Sequence, residues 1–174
     1  EVHRGHEIDT WRELILRGEE HVNDSAIDVK FYHLDLEIAI DSSYISGSVR
    51  CLLTPANGDI DELFLDLDAS LTVTSVSAPC VSFYQDDNKI FIDLDDSYAP
   101  GDPIDLTIAY EGVPIKPGGI KGLRYETHHG NEPIIVTLST PFLAHYWYPC
   151  KDGPEDKADS VYVDITIDKR EVNG

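Results

Sequence analysis

Asp28-Val-Lys-Phe-Tyr-His-Leu-Asp-Leu-Glu-Ile38 decides the fold. Leu34, Leu36, Ile38 and Ile40 alternate with His33, Asp35, Glu37 and Asp41. A period of two puts successive side chains on opposite faces, so this run predicts a strand with one buried and one wet face. The same pattern recurs at Leu63-Phe-Leu-Asp-Leu-Asp68, where 63, 65 and 67 should point inward. It recurs at Ile90-Phe-Ile-Asp-Leu-Asp95, at Ile104-Asp-Leu-Thr-Ile-Ala-Tyr110 and at Val161-Tyr-Val-Asp-Ile-Thr-Ile-Asp168. Turn signals separate the runs: Asn57-Gly58, Asp86-Asp-Asn88, Pro100-Gly-Asp102 and Lys116-Pro-Gly-Gly119. The pattern predicts an all-β domain over 28–174. Ahead of it, 1–27 reads as a helical arm. Its short helix at 7–22 would be capped by Asp9 or Thr10, with Trp11, Leu14 and Ile15 on one face.

The outward positions are unusually often Asp, a poor strand former. On a wet face Asp keeps the sheet soluble and discourages edge-to-edge pairing. The chain of 174 residues carries a formal charge of −20. That argues against nucleic acid or anionic lipid as a partner, because phosphate binding needs clustered Lys and Arg. No run of 18 apolar residues, the length a membrane-spanning helix needs, occurs, and no signal peptide is recognisable. The chain opens on Glu1 and contains no Met, so it is expected to be a processed product or a piece of something longer. The compartment stays open.

Cys51, Cys80 and Cys150 are odd in number and lack CxxC spacing, which reads as free thiols rather than a disulfide framework or zinc knuckle. A zinc-peptidase helix needs His-Glu-x-x-His, but His6-Glu7 is followed by Ile8, Asp9 and Thr10. His128-His129 reads as a loop pair. Gln85-Asp-Asp-Asn88 and Asp93-Leu-Asp-Asp96 offer oxygens for calcium without the Asp-x-Asp-x-Asp-Gly loop. There is no Gly-rich phosphate loop and no Gly-x-Ser-x-Gly elbow. The residues themselves assign no catalytic group and no metal ligand.

Three blocks resemble the N-terminal domain of the aminopeptidase N family of zinc metallopeptidases, which includes leukotriene hydrolase-like enzymes. They are the opening strand quoted above, Leu65-Asp-Leu-Asp-Ala-Ser-Leu-Thr-Val-Thr-Ser-Val76 with the later strand ending in Tyr110-Glu-Gly112, and Trp147-Tyr-Pro-Cys-Lys-Asp-Gly-Pro-Glu-Asp-Lys-Ala158. The third is the specific one. The resemblance implies a curved, saddle-like, antiparallel or mixed β-sheet sandwich that covers one side of a downstream catalytic domain. That domain would carry the zinc; no cofactor is expected in this chain, which alone should be inert. Its implied partners are the catalytic domain and the peptide substrate.

The resemblance also implies one substrate-facing position, nine places before the Pro of Pro-Cys, where the family holds an acidic or amide residue for the free α-amine. Counting back from Pro149 gives Thr140, between Ser139 and Pro141. Thr supplies a hydroxyl and no charge, a departure that leaves a pseudo-peptidase open. A different class, a free-standing β-sandwich module binding carbohydrate or calcium, is the rival reading. From the residues alone, Pro149 to Lys157 reads as shape: Pro149 fixes φ, Cys150 suits a small buried site, and Asp152 can accept from backbone N–H groups in a tight turn.

Overall fold

A computed structural model describes residues 24–115, 122–128 and 132–167. The helix expected at 7–22, the arm before Asp24 and the Lys116–Gly119 turn lie outside the described residues. The described strands are β1 (Ile27–Ala39), β2 (Tyr44–Pro55), β3 (Ile60–Asp66), β4 (Leu71–Val76), β5 (Cys80–Asp86), β6 (Lys89–Tyr98), β7 (Ile104–Gly112), β8 (Gly122–His128), β9 (Glu132–Leu138) and β10 (Ser160–Ile167), with one 3-10 turn at Ala144–Tyr146. They form a five-stranded sheet in the order β10-β1-β2-β7-β4, a three-stranded sheet β3-β6-β5 and a hairpin β8-β9. All pairs are antiparallel except β1 with β10, which is parallel, so the large sheet is mixed. The domain is all-β, as the alternation predicts.

The opening strand shows why the alternation begins in earnest only after Lys30. Ile27 and Val29 are buried, then Tyr32, Leu34, Leu36 and Ile38. The parity changes because the register with β2 slips between Val29 and Phe31. A bulge of this kind admits one extra residue and turns all later side chains to the other face. Asp24 ties the strand's start to β3: its carboxylate accepts from the Ala26 N–H and the Phe64 N–H, both at 2.9 Å.

The core is the meeting of two inner faces. Leu34, Leu36, Val49, Cys51, Leu53, Leu106 and Ile108 of the large sheet pack in one cluster with Leu63, Leu65, Ile90 and Ile92 of the small sheet. The β5–β6 hairpin turns on Asp87 (φ 45°) and Asn88 (φ 61°). Two successive positive φ values match a two-residue turn whose twist suits the strands, and Asp and Asn tolerate that backbone better than most residues.

Two expectations need correcting. The outward Asp residues of the third strand are not all wet: Asp66 is 1% exposed and Asp68 6%. Both sit where β3 leaves its sheet: Asp66 Oδ2 accepts from the Asp152 N–H of the loop described below, the Asp68 N–H donates to that loop's His145 carbonyl, and Asp68 Oδ1 accepts from the Ser70 N–H. The last strand does not have one buried and one wet face either. All eight residues of β10 are exposed, because it is an edge strand in the described sheet and no layer of the described residues covers its apolar side.

Candidate functional site

Between β9 and β10 the chain crosses the end of the sandwich as an irregular segment held down at many points. It starts at Ser139 and Thr140, bends at Pro141 and Phe142, makes the 3-10 turn, and runs through Trp147, Tyr148 and Pro149 to Cys150. There it forms an isolated antiparallel bridge with Asp66, with N–H to O distances of 2.7 and 3.0 Å in the two directions.

Asp152 is the centre of this segment. At 3% exposure, its carboxylate accepts from the Phe142 N–H at 2.7 Å and the His145 N–H at 3.0 Å, and meets His145 Nδ1 at 2.7 Å. Its own N–H donates to Asp66 Oδ2 at 2.9 Å. Asp152 thus accepts from backbone N–H groups as the sequence suggests, but the donors lie upstream at Phe142 and His145, while residues 153–155 form a bend. The carboxylate pins Phe142, whose φ of 68° lies in a region costly for a bulky residue and is kept only where the surroundings over-determine it. The Asp68 N–H donates to the His145 carbonyl at 2.9 Å, and Lys89 Nζ lies 3.8 Å from Asp66 Oδ1.

The large sheet holds the same segment from the other side. The Tyr110 hydroxyl donates to the Trp147 carbonyl at 2.8 Å. The Lys151 N–H donates to the Tyr32 hydroxyl at 2.8 Å. Lys151 Nζ donates to the Ile27 carbonyl at 2.6 Å and to Asp156 Oδ2 at 2.9 Å, and that oxygen also accepts from the Val29 N–H at 3.1 Å. Burial pushes the Tyr32, Tyr110 and Tyr148 phenols and the Cys150 thiol upward, because a low-polarity site disfavours the anion. Such a thiol is a poor nucleophile, so Cys150 is a packing residue here. Cys51, Cys80 and Cys150 are all free, and Cys80 alone is not buried.

The three sequence-predicted residues stand at the start of this segment. Ser139 is exposed at its surface and its Oγ accepts from Trp147 Nε1 at 3.1 Å. The Thr140 carbonyl accepts from the Leu143 N–H at 3.0 Å, while its buried Oγ1 has no hydrogen-bond partner among the described residues. Pro141 is exposed. His145 and Asp66 were not legible as parts of this arrangement: one reads as a lone histidine, the other as an outward strand Asp.

Among the described residues no group of three His, Cys, Asp or Glu side chains could hold a metal ion, so no zinc chemistry is derived from this chain. The calcium-like stretch at 85–88 has structural work instead. Gln85 Oε1 accepts from the Val73 N–H at 2.7 Å, Gln85 Nε2 donates to the Leu71 carbonyl at 3.0 Å, and Asn88 Oδ1 accepts from the Ala69 N–H at 2.8 Å. A groove of about 560 Å³ beside Asp59, Asp61, Glu62, Phe64 and Tyr84 lies on the small sheet, away from Thr140.

The fold has counterparts among solved structures. A two-domain M1 zinc metallopeptidase bound to L-arginine superposes with a TM-score of 0.71 at 24% identity, covering 84% of this chain and 34% of that one. The M1 zinc metallopeptidase from Deinococcus radiodurans gives 0.68 at 23% identity, over 84% and 33%. Native yeast LTA4 hydrolase gives 0.64 at 19% identity, over 86% and 26%. The chain thus spans about a third or less of the length of these proteins, and at these identities the likeness is one of fold. None of the curated proteins matches the chain. The family assignment comes from the sequence itself: residues 29–173 match the peptidase M1 N-terminal domain, a span that takes in both the opening strand and the loop centred on Asp152, and the chain belongs to that family.

Proposed function

We propose that this chain is the non-catalytic wall of a zinc-dependent aminopeptidase. A catalytic domain elsewhere in the same polypeptide would hold the zinc and hydrolyse peptides from the N-terminus. The observation that carries this reading is the family match over residues 29–173. The site geometry supports a wall rather than a catalyst. The loop is clamped by a buried carboxylate and by backbone hydrogen bonds, and no activated nucleophile or metal cluster accompanies it among the described residues.

In this reading Ser139-Thr140-Pro141 faces the cleft, with Thr140 beside the substrate α-amine. Two observations support that placement. Thr140 Oγ1 has no partner within the described domain, and the bend that carries it is fixed by Asp152 through Phe142. A neutral hydroxyl can accept one hydrogen bond from an ammonium group but supplies no charge. A paired, desolvated charge is worth ~2–5 kcal/mol, so this enzyme would depend more on other groups to anchor the amine.

The test is Thr140→Glu in the full polypeptide. The specificity constant for a free-amine peptide should rise by about tenfold or more, while an N-acetylated analogue gains nothing. Equal behaviour of the two substrates in the variant and the parent would remove Thr140 from the amine subsite.

A further inference from the structure

The outer face of the small sheet carries one aromatic row. The register places Phe64, Phe91 and Tyr84 abreast on β3, β6 and β5. The ring centroids of Phe64 and Phe91 are 5.8 Å apart, and Tyr84 stacks on Phe91 at 4.8 Å. Phe64 and Phe91 are half-buried, while Tyr84 is 56% exposed. On one side of the row Lys89 Nζ stands 5.0 Å from the Phe64 centroid. On the other side the neighbouring residues are Glu62, Asp93 and Ser82. The groove of about 560 Å³ takes in the aromatic row and this polar row, with Asp59, Asp61, Glu62 and Asp93 in its lining and no Lys or Arg.

The chain enters the described domain at this groove. Asp24 is part of the lining, fixed there because its carboxylate accepts from the Phe64 N–H at 2.9 Å. The 23 residues ahead of it lie outside the described residues, and their sequence complements the groove. Trp11, Leu14 and Ile15 share one face of the helix expected at 7–22; Arg12 flanks that face, and Glu13 and Glu20 fall opposite it. The lengths agree as well. Three neighbouring strands span about 10 Å. In a helix, Val22 and Trp11 are about 16 Å apart along the axis, so a segment starting at Asp24 reaches β5.

We infer that the groove is the seat of the chain's own residues 8–22. Their apolar face covers Phe64, Phe91 and Tyr84, and Arg12 meets the carboxylates beside that row. Tethering at Asp24 favours this occupant, because it makes docking intramolecular at a high effective concentration. The chemistry favours it too: a guanidinium suits a site that combines carboxylates with aromatic rings. A second copy is the poorer occupant, because each chain carries a formal charge of −20 and two such domains repel. The inference stands apart from the peptidase reading and does not need it.

The experiment compares the 174-residue chain with its Trp11→Lys variant, a change that leaves both sheets untouched. Amide hydrogen exchange is followed over residues 8–18 at several protein concentrations, with a free peptide of residues 1–23 as the reference. Nitration of Tyr84 by tetranitromethane is read by mass spectrometry in both proteins. The inference expects exchange at least about tenfold slower in the chain than in the peptide, at every concentration. In Trp11→Lys that protection is lost and Tyr84 is nitrated several-fold faster, while the amides of β1 and β7 keep their protection. Three results overturn it: exchange over 8–18 as fast as in the peptide, Tyr84 nitrated equally in the two proteins, or protection that falls on dilution, which gives the groove to a second copy.

Discussion

At the scale of residues, the site depends on one carboxylate. Asp152 receives two backbone N–H groups and an imidazole while its own N–H is held by Asp66. Charge-assisted hydrogen bonds of this kind are the strong ones, and removing the acceptor strands three donors in a dry site. Asp152→Ala should therefore cost about 3–5 kcal/mol, the range for breaking a buried charged pair, read as a lowered urea midpoint. Asp152→Asn keeps one carbonyl oxygen for Phe142 or His145 and should lose roughly half as much. An alanine variant as stable as the parent would show that the loop is held mainly by Tyr110 and Lys151. This residue was legible from sequence only in part. The turn around Asp152-Gly153-Pro154 announces an acceptor for nearby N–H groups, but nothing in the sequence says that His145 and Asp66 converge on it, because Asp66 lies 86 positions away.

At the scale of elements, strands were legible over the stretches where alternation runs on, as in β1 after its bulge, β3 from Leu63, β6 and β7. They were not where the chain breaks its own pattern. β2 places Gly47 and Ser48 in mid-strand, and β5 is mostly polar or exposed. β8 and β9 pair chiefly with each other. Gly47 is the informative break. It sits in the central strand between Leu36 and Tyr110 with φ 148°, and a Cβ there would lie 2.2 Å from the Asp35 carbonyl oxygen. That contact is with backbone, which cannot swing aside. Gly47→Ala should cost about 2–3 kcal/mol, as overpacking does, and should loosen exchange protection in β1 and β2 together. A midpoint unchanged by the substitution would mean that the two strands can part without penalty. β10 teaches the reverse lesson. Its alternation is regular, yet alternation reports which face is meant to be covered, and none of the described residues covers it.

At the scale of the whole molecule, the charge is the dominant property. Thirty-three Asp and Glu face thirteen Lys and Arg, and a net charge so far from zero opposes the compact state by self-repulsion. Many of these carboxylates stand on exposed strand faces, where salt screens them. Raising the ionic strength from about 0.01 to about 0.3 M shortens the screening length several-fold. The thermal midpoint should then climb by about 3 °C or more, the shift that roughly 1 kcal/mol gives a chain of this size. A midpoint that stays flat or falls would show that local ion pairs such as Arg50 with Asp105 already balance the field.

The parallel pairing of β1 with β10 has a consequence in time. The partner of Phe31 is Ser160, so roughly 130 residues must be made between the two, about 10 s at ribosomal speed. While they emerge, β1 can pair with β2 on one side and has an open hydrogen-bonding edge on the other. Sheets built from such distant pairings are slow to complete and exposed to wrong partners meanwhile. The strand that begins this domain is thus the last to be closed, and the birth of the protein is the period when its sheet most needs protection.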